Sequence, residues 1–138
     1  GERDTAALEY LPELSAIWVT WAGALTPDEY QYVLLRALEV IVEHRCRILL
    51  IDAERQTFID PRSNEWEQEK LHPELFASGL RLAAIRQPEA YMGKMRLAEM
   101  NDALGYDIHD HLAYEVRFFA TMDDALEHAR TRFQAFED

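Results

Sequence analysis

The run Ile48-Leu49-Leu50-Ile51 constrains the fold more than any other stretch of the chain, because four large aliphatic residues follow one another without polar alternation and stop abruptly at Asp52. A strand with only one face on the core alternates apolar and polar residues, whereas a strand buried on both faces does not. The run therefore predicts a central strand of a sheet with cover on both sides. In open α/β sheets the functional crevice lies beyond the carboxyl ends of the strands. That rule directs attention to the polar segment from Asp52 to Ser63.

The other elements follow in chain order. Thr5 to Pro12 and Ser15 to Ala22 read as two strands joined by a short turn around Pro12-Glu13-Leu14. In the second strand Ile17, Val19 and Trp21 share one face, and Trp18, Thr20 and Ala22 share the other. Bulk on both sides again implies cover on both sides, and packing is the expected use of the two tryptophans. Thr26-Pro27-Asp28-Glu29 supplies an N-cap, a first-turn proline and a capping-box glutamate. The helix that follows carries Tyr30, Leu34, Ala37, Leu38 and Ile41 on its apolar side and ends near His44 or Arg45. His44, Arg45 and Arg47 then complement its negative C-terminal end.

Beyond the central strand, Asp60-Pro61 or Ser63 caps a second helix with Trp66, Leu71, Leu75 and Phe76 on its apolar side and Gly79 as its stop. Pro73 inside that span predicts a kink or break near Leu71-His72, since proline lacks an amide donor and clashes with the preceding turn. Leu80 to Arg86 reads as another apolar strand. A helix starting at Pro88 carries Tyr91, Met92, Met95, Met100 and Leu104, and Gly105 ends it. Tyr106 to Leu112 is a polar connection, Tyr114 to Ala120 the last strand, and Thr121 with Asp124 caps a final helix. Met122, Ala125, Leu126, Ala129, Phe133 and Phe136 keep helical spacing along it.

With 138 residues, 49% of them hydrophobic, the chain is expected to form one domain over residues 1–138 around one core. The formal net charge of −12 opposes binding to nucleic acid or an anionic membrane surface through phosphates. No uninterrupted apolar run approaches the roughly 20 residues of a membrane span. Gly1-Glu2-Arg3-Asp4 lacks the apolar core of a signal peptide. The single Cys46 has no intrachain partner and sits beside the apolar run, as a packed thiol in a reducing cytoplasm would.

Strand, strand, helix, strand, helix, strand, helix, strand, helix is the resulting order, an α/β mixed sheet that is largely parallel after its opening hairpin and is packed with helices. Over nearly the whole chain this ββαβαβαβα order resembles the STAS domain, the anti-sigma-factor antagonist fold, and its SpoIIAA-like relatives compared with SEC14 lipid-binding domains. The local match is Ile48-Leu49-Leu50-Ile51-Asp52 followed by Phe58-Ile59-Asp60, then a helix, then Gly79-Leu80-Arg81-Leu82-Ala83-Ala84-Ile85. The chain also looks like the uncharacterised bacterial proteins of that group, with their aromatic strand ending in Gly and their Ala-rich terminal helix. In the phospho-regulated antagonists the turn after the strand reads Asp-Ser-Ser-Gly, and the serine after the aspartate is phosphorylated. Here Asp60-Pro61-Arg62-Ser63 puts proline in that place, which implies that the usual switch is absent.

Three functional classes compete. The resemblance implies a non-enzymatic regulatory or protein-interaction module, and that reading ranks first. A small-molecule or lipid-binding module of SEC14-like type is the alternative, because the Trp, Met and Phe content suits a small apolar ligand. Catalysis ranks last, since Asp52, Glu54, Asp60 and Glu65 form no pair of base and nucleophile. No cofactor is implied. The candidate surface is Asp52, Arg55, Thr57, Asp60, Arg62 and Ser63, where arginines in an acidic chain suit an acidic partner or an anionic ligand. Asp107-Ile108-His109-Asp110-His111 alternates imidazoles and carboxylates, yet its spacing matches no familiar zinc motif. His109 and His111 are accordingly weak metal candidates, and no metal is expected. Trp18, Tyr32, Phe118 and Phe119 are large apolar residues on elements that cannot all be central. A sheet covered on one face would expose several of them, which suggests a homodimer.

Overall fold

A computed structural model describes residues 6–21, 26–53, 66–86 and 114–137. Strands β1 (Ala6–Leu11) and β2 (Ala16–Trp21) form an antiparallel hairpin, and β3 (Ile48–Asp52), β4 (Leu82–Arg86) and β5 (Glu115–Phe119) continue it in parallel. The sheet order is β1-β2-β3-β4-β5, which puts β3 in the middle as its uninterrupted apolar run requires. Helices α1 (Pro27–His44), α2 (His72–Ala77) and α3 (Met122–Glu137) complete the described architecture. None of the described helices is long and apolar enough to cross a membrane. The helix expected from Pro88 and the connection from Tyr106 to Leu112 lie outside the described residues.

The hairpin closes through a 3-10 turn, Pro12–Leu14, and Ser15 in the left-handed region at φ 51°. The Ser15 carbonyl then accepts from the amides of Arg47 at 2.8 Å and Ile48 at 3.2 Å, tying the turn to the start of β3. Alternation sends Ile17, Val19 and Trp21 toward α1, where they meet Val33, Leu34, Ala37 and Ile41 in one core. Trp21 stacks on Tyr30 with ring centroids 5.1 Å apart. The opposite face carries Ala16, Ile48, Leu50, Leu82 and Ala84 under Met122, Ala125 and Ala129 of α3. Alanines on both sides of that contact let the helix backbone lie close to β4.

Both faces of the sheet are thus covered, and this changes the argument for self-association. Phe118 packs into the α1 core, while Trp18 and Phe119 pack into the α3 core. Of the four aromatics that suggested pairing, only Tyr32 stays exposed, at 65%.

The caps expected from sequence form. Thr26 Oγ1 accepts from the Glu29 amide at 3.1 Å, and the Thr26 amide donates to Glu29 Oε1 at 3.0 Å. Replacing Thr26 with alanine removes one of the two bonds, so a loss of about 1 kcal/mol in urea unfolding is expected, with the denaturant slope unchanged. At the other terminus the Asp124 amide donates to Thr121 Oγ1 at 3.1 Å. Pro73 also acts as its chemistry dictates. The turn before it, Glu67–Leu71, is widened to π type, and the α-helix resumes only from His72.

Two local expectations need correction. Strand β4 begins at Leu82; Leu80, though fully buried, ends the α2 turn, its amide donating to the Leu75 carbonyl at 3.1 Å. Phe76 is not on the apolar side of α2. Leu71 and Leu75, four apart, take the core-facing side, so the next residue projects about 100° around the helix and is 44% exposed.

Candidate functional site

The carboxyl end of β3 holds Asp52 beside Arg86, its register partner on β4, with Asp52 Oδ2 and Arg86 Nη1 3.9 Å apart. The Ala53 amide donates to the Arg86 carbonyl at 2.9 Å and carries the pairing one residue past the strand. Asp52 is therefore a partly buried carboxylate held against a guanidinium at the end of a rigid strand. The other candidates from sequence, Arg55, Thr57, Asp60, Arg62 and Ser63, lie outside the described residues, as do His109 and His111. Among the described residues no group of three or more His, Cys, Asp or Glu side chains is placed to hold a metal ion.

A second arrangement lies at the amino end of the parallel strands. Arg47 and Arg81 immediately precede β3 and β4, and the Arg47 carbonyl accepts from the amides of Arg81 at 2.8 Å and Leu82 at 3.1 Å. The two residues are neighbours across the sheet. Because Ile48 and Leu82 face α3, alternation turns Arg47 and Arg81 toward the α1 and α2 side. There they line a cleft of about 360 Å³ with Val42, Arg45, Ser78 and Gly79.

Local structure fixes several of these positions. Arg45 caps α1 in the left-handed region at φ 55°, which swings the chain out of the helix toward β3. Gly79 ends α2 at φ +104°, a conformation that residues with a Cβ rarely adopt, and the space above its Cα is open. Ser78 Oγ donates to the Leu75 carbonyl at 2.6 Å. Arg81 Nη1 donates to the Leu80 carbonyl at 2.9 Å, and its guanidinium lies over the Phe76 ring, 5.5 Å from the centroid. The exposed Phe76 thus acts as a rest for Arg81. Among the described residues no carboxylate pairs with Arg45, Arg47 or Arg81.

Two exposed apolar residues of α1 lead toward this cleft, with the exposed Glu39, paired with Arg36, between them. Val42, 57% exposed, is one of its walls, and Leu35, 46% exposed, lies seven residues earlier on the same side of α1. Two other groups resolve to structural roles. His44 stacks on Tyr10 at 4.0 Å, joining the end of α1 to the edge strand β1. Burial pushes the Cys46 thiol up to about 11, so it is protonated at neutral pH and is no nucleophile.

Sequence reasoning assigned Arg45 and Arg47 to the helix dipole and passed over Arg81. The available signal was that both Arg47 and Arg81 stand one residue ahead of an apolar strand, which a parallel register brings together. No family model matches the chain, and no curated protein matches it.

Proposed function

We propose that this chain is a non-enzymatic regulatory or protein-interaction module of the SpoIIAA-like (STAS-like) kind, working in the cytoplasm without the usual phosphoserine switch. The observation that carries this reading is the pair of exposed apolar residues Leu35 and Val42 on α1, the second of which lines a cleft with three arginines that have no described carboxylate beside them. In a chain of net charge −12, such a locally basic, apolar-edged surface selects a partner segment that presents acidic next to apolar side chains. The fold supports the same reading. Its cores are closed on both faces of the sheet, and three of the exposed large apolar residues among those described, Tyr32, Leu35 and Val42, lie on α1.

A photo-cross-linking amino acid in place of Leu35 tests the reading, with the same group in place of the exposed Gln134 on α3 as the control. Capture through Leu35 alone of a peptide containing Asp or Glu among apolar residues is expected. Charge reversal by Arg45→Glu and Arg47→Glu should abolish that capture while the far-ultraviolet circular dichroism stays the same. Identical products from both positions, persistence after charge reversal, or cross-linking only to a second copy of this chain would each overturn it.

A further inference from the structure

The arginine cleft has electrostatics that call for a ligand of its own. Arg47 and Arg81 sit side by side on neighbouring strands, so their side chains leave the sheet in the same direction from points about 4.8 Å apart. Like charges placed opposite each other on a sheet repel. Elsewhere in the chain Arg36 pairs with Glu39, Arg86 with Asp52, and both Arg117 and Arg132 with Glu115. Acidic residues outnumber basic ones 26 to 14, yet no described one is placed against Arg45, Arg47 or Arg81.

We propose that this cleft binds a phosphate monoester with an apolar body, its phosphoryl group held between Arg47 and Arg81 with Arg45 as the third donor, and its organic group lying against Val42. A single carboxylate fills one guanidinium fork, whereas a phosphoryl dianion presents three oxygens and twice the charge. Arg81 is already oriented by the Leu80 carbonyl and the Phe76 ring, and the guanidinium keeps further N–H donors for a ligand. The volume of about 360 Å³ falls in the range of small-molecule pockets and exceeds what a bare ion fills. Gly79 is part of the cleft wall, and the space above its Cα is open. The ligand engages the same three arginines as the proposed acidic partner and competes with it, but its direct titration does not depend on that partner; it is a charged ligand in place of the purely apolar one that the sequence suggested.

Titration of the full chain with phenyl phosphate, followed by calorimetry and by amide chemical shifts, tests the proposal. One saturable site is expected, weakened as salt is raised, with the largest shifts at residues 45–47 and 78–81. Arg47→Ala combined with Arg81→Ala should weaken binding by about tenfold or more. Arg47→Lys, which keeps the charge and loses the fork, should also weaken it. In phosphate-free buffer Arg47→Ala should keep or raise the thermal midpoint, since it relieves repulsion; this separates lost binding from lost folding. Inorganic phosphate binding as tightly as phenyl phosphate would remove the apolar body from the proposal, and benzoate binding as tightly would remove the phosphoryl group. Absence of saturable binding, or equal binding by the double variant, overturns it outright.

Discussion

Replacing Leu50 with alanine is expected to lower the free energy of unfolding by about 2–5 kcal/mol. Leu50 is fully buried in the central strand, between Trp18 on β2 and Ala84 on β4 in register. Ala84 beside it and Ala125 and Ala129 on α3 are small and fully buried and cannot reach into the space it vacates, so only a shift of Trp18 or Met122 in the same cluster could fill it. A site that collapses poorly keeps its cavity, and the cost then lies toward the upper end of that range. For a domain whose total stability is on the order of 5–15 kcal/mol, a loss of this size is a large fraction of the total and moves the urea midpoint well below that of the parent. Leu35→Ala on the exposed side of α1 provides the contrast and is expected to change stability by no more than about 0.5 kcal/mol. Urea unfolding of the two variants side by side checks both values. Similar losses would mean that β3 is not the shared wall of the two cores.

What could be read in the sequence was whatever depends on neighbours along the chain. The four aliphatics of β3 revealed a doubly covered strand, Thr26 and Glu29 revealed a helix start, and Pro73 revealed an interrupted helix. The regular apolar set of α3 revealed a docked helix. Contacts that depend on register between distant segments were hidden. Phe118 and Trp18 look like surplus apolar bulk until the sheet places one under α1 and the other under α3. Arg47 and Arg81 are separated by a whole βα unit, and only the pairing of Ile48 with Leu82 makes them adjacent. Phe76 carries a helical apolar signature, but the π-type turn before Pro73 and the positions of Leu71 and Leu75 send it outward, where it supports Arg81. The Asp52 candidate surface was inferred from strand polarity alone, and of its members the described structure places only Asp52 itself.

Replacing Glu115 with glutamine is expected to loosen α3 and to alter the acid sensitivity of the whole chain. Glu115 opens β5 on the face that α3 covers. Its Oε1 accepts from Arg132 Nε at 3.0 Å and lies 3.3 Å from His128 Nε2, while Oε2 accepts from Arg117 Nε at 3.1 Å. His128 and Arg132 are four residues apart on α3, so one carboxylate grips two successive turns of that helix. The hydrogen bond with His128, supported by Arg117 and the charge of Arg132 and opposed by partial burial, holds the carboxyl at about 2 instead of its ordinary 4.5. A folded-state value below the unfolded one means that the stabilisation is complete above about pH 4.5 and is lost as the pH falls through about 2. Such a shift corresponds to at most about 3 kcal/mol. Because Arg117 and Arg132 are 48% and 43% exposed, solvent screening reduces the expected contribution to about 1–2 kcal/mol. Glu115→Gln keeps the shape of the side chain and removes its charge. The variant should therefore be less stable than the parent at pH 5, with a gap that narrows as pH falls toward 2 and shrinks in molar salt. A gap that stays constant over that range would assign the loss to packing. The consequence reaches the sheet, because α3 is the cover over Ile48, Leu50 and Trp18, and weakening its hold at Glu115 exposes the core that defines the central strand.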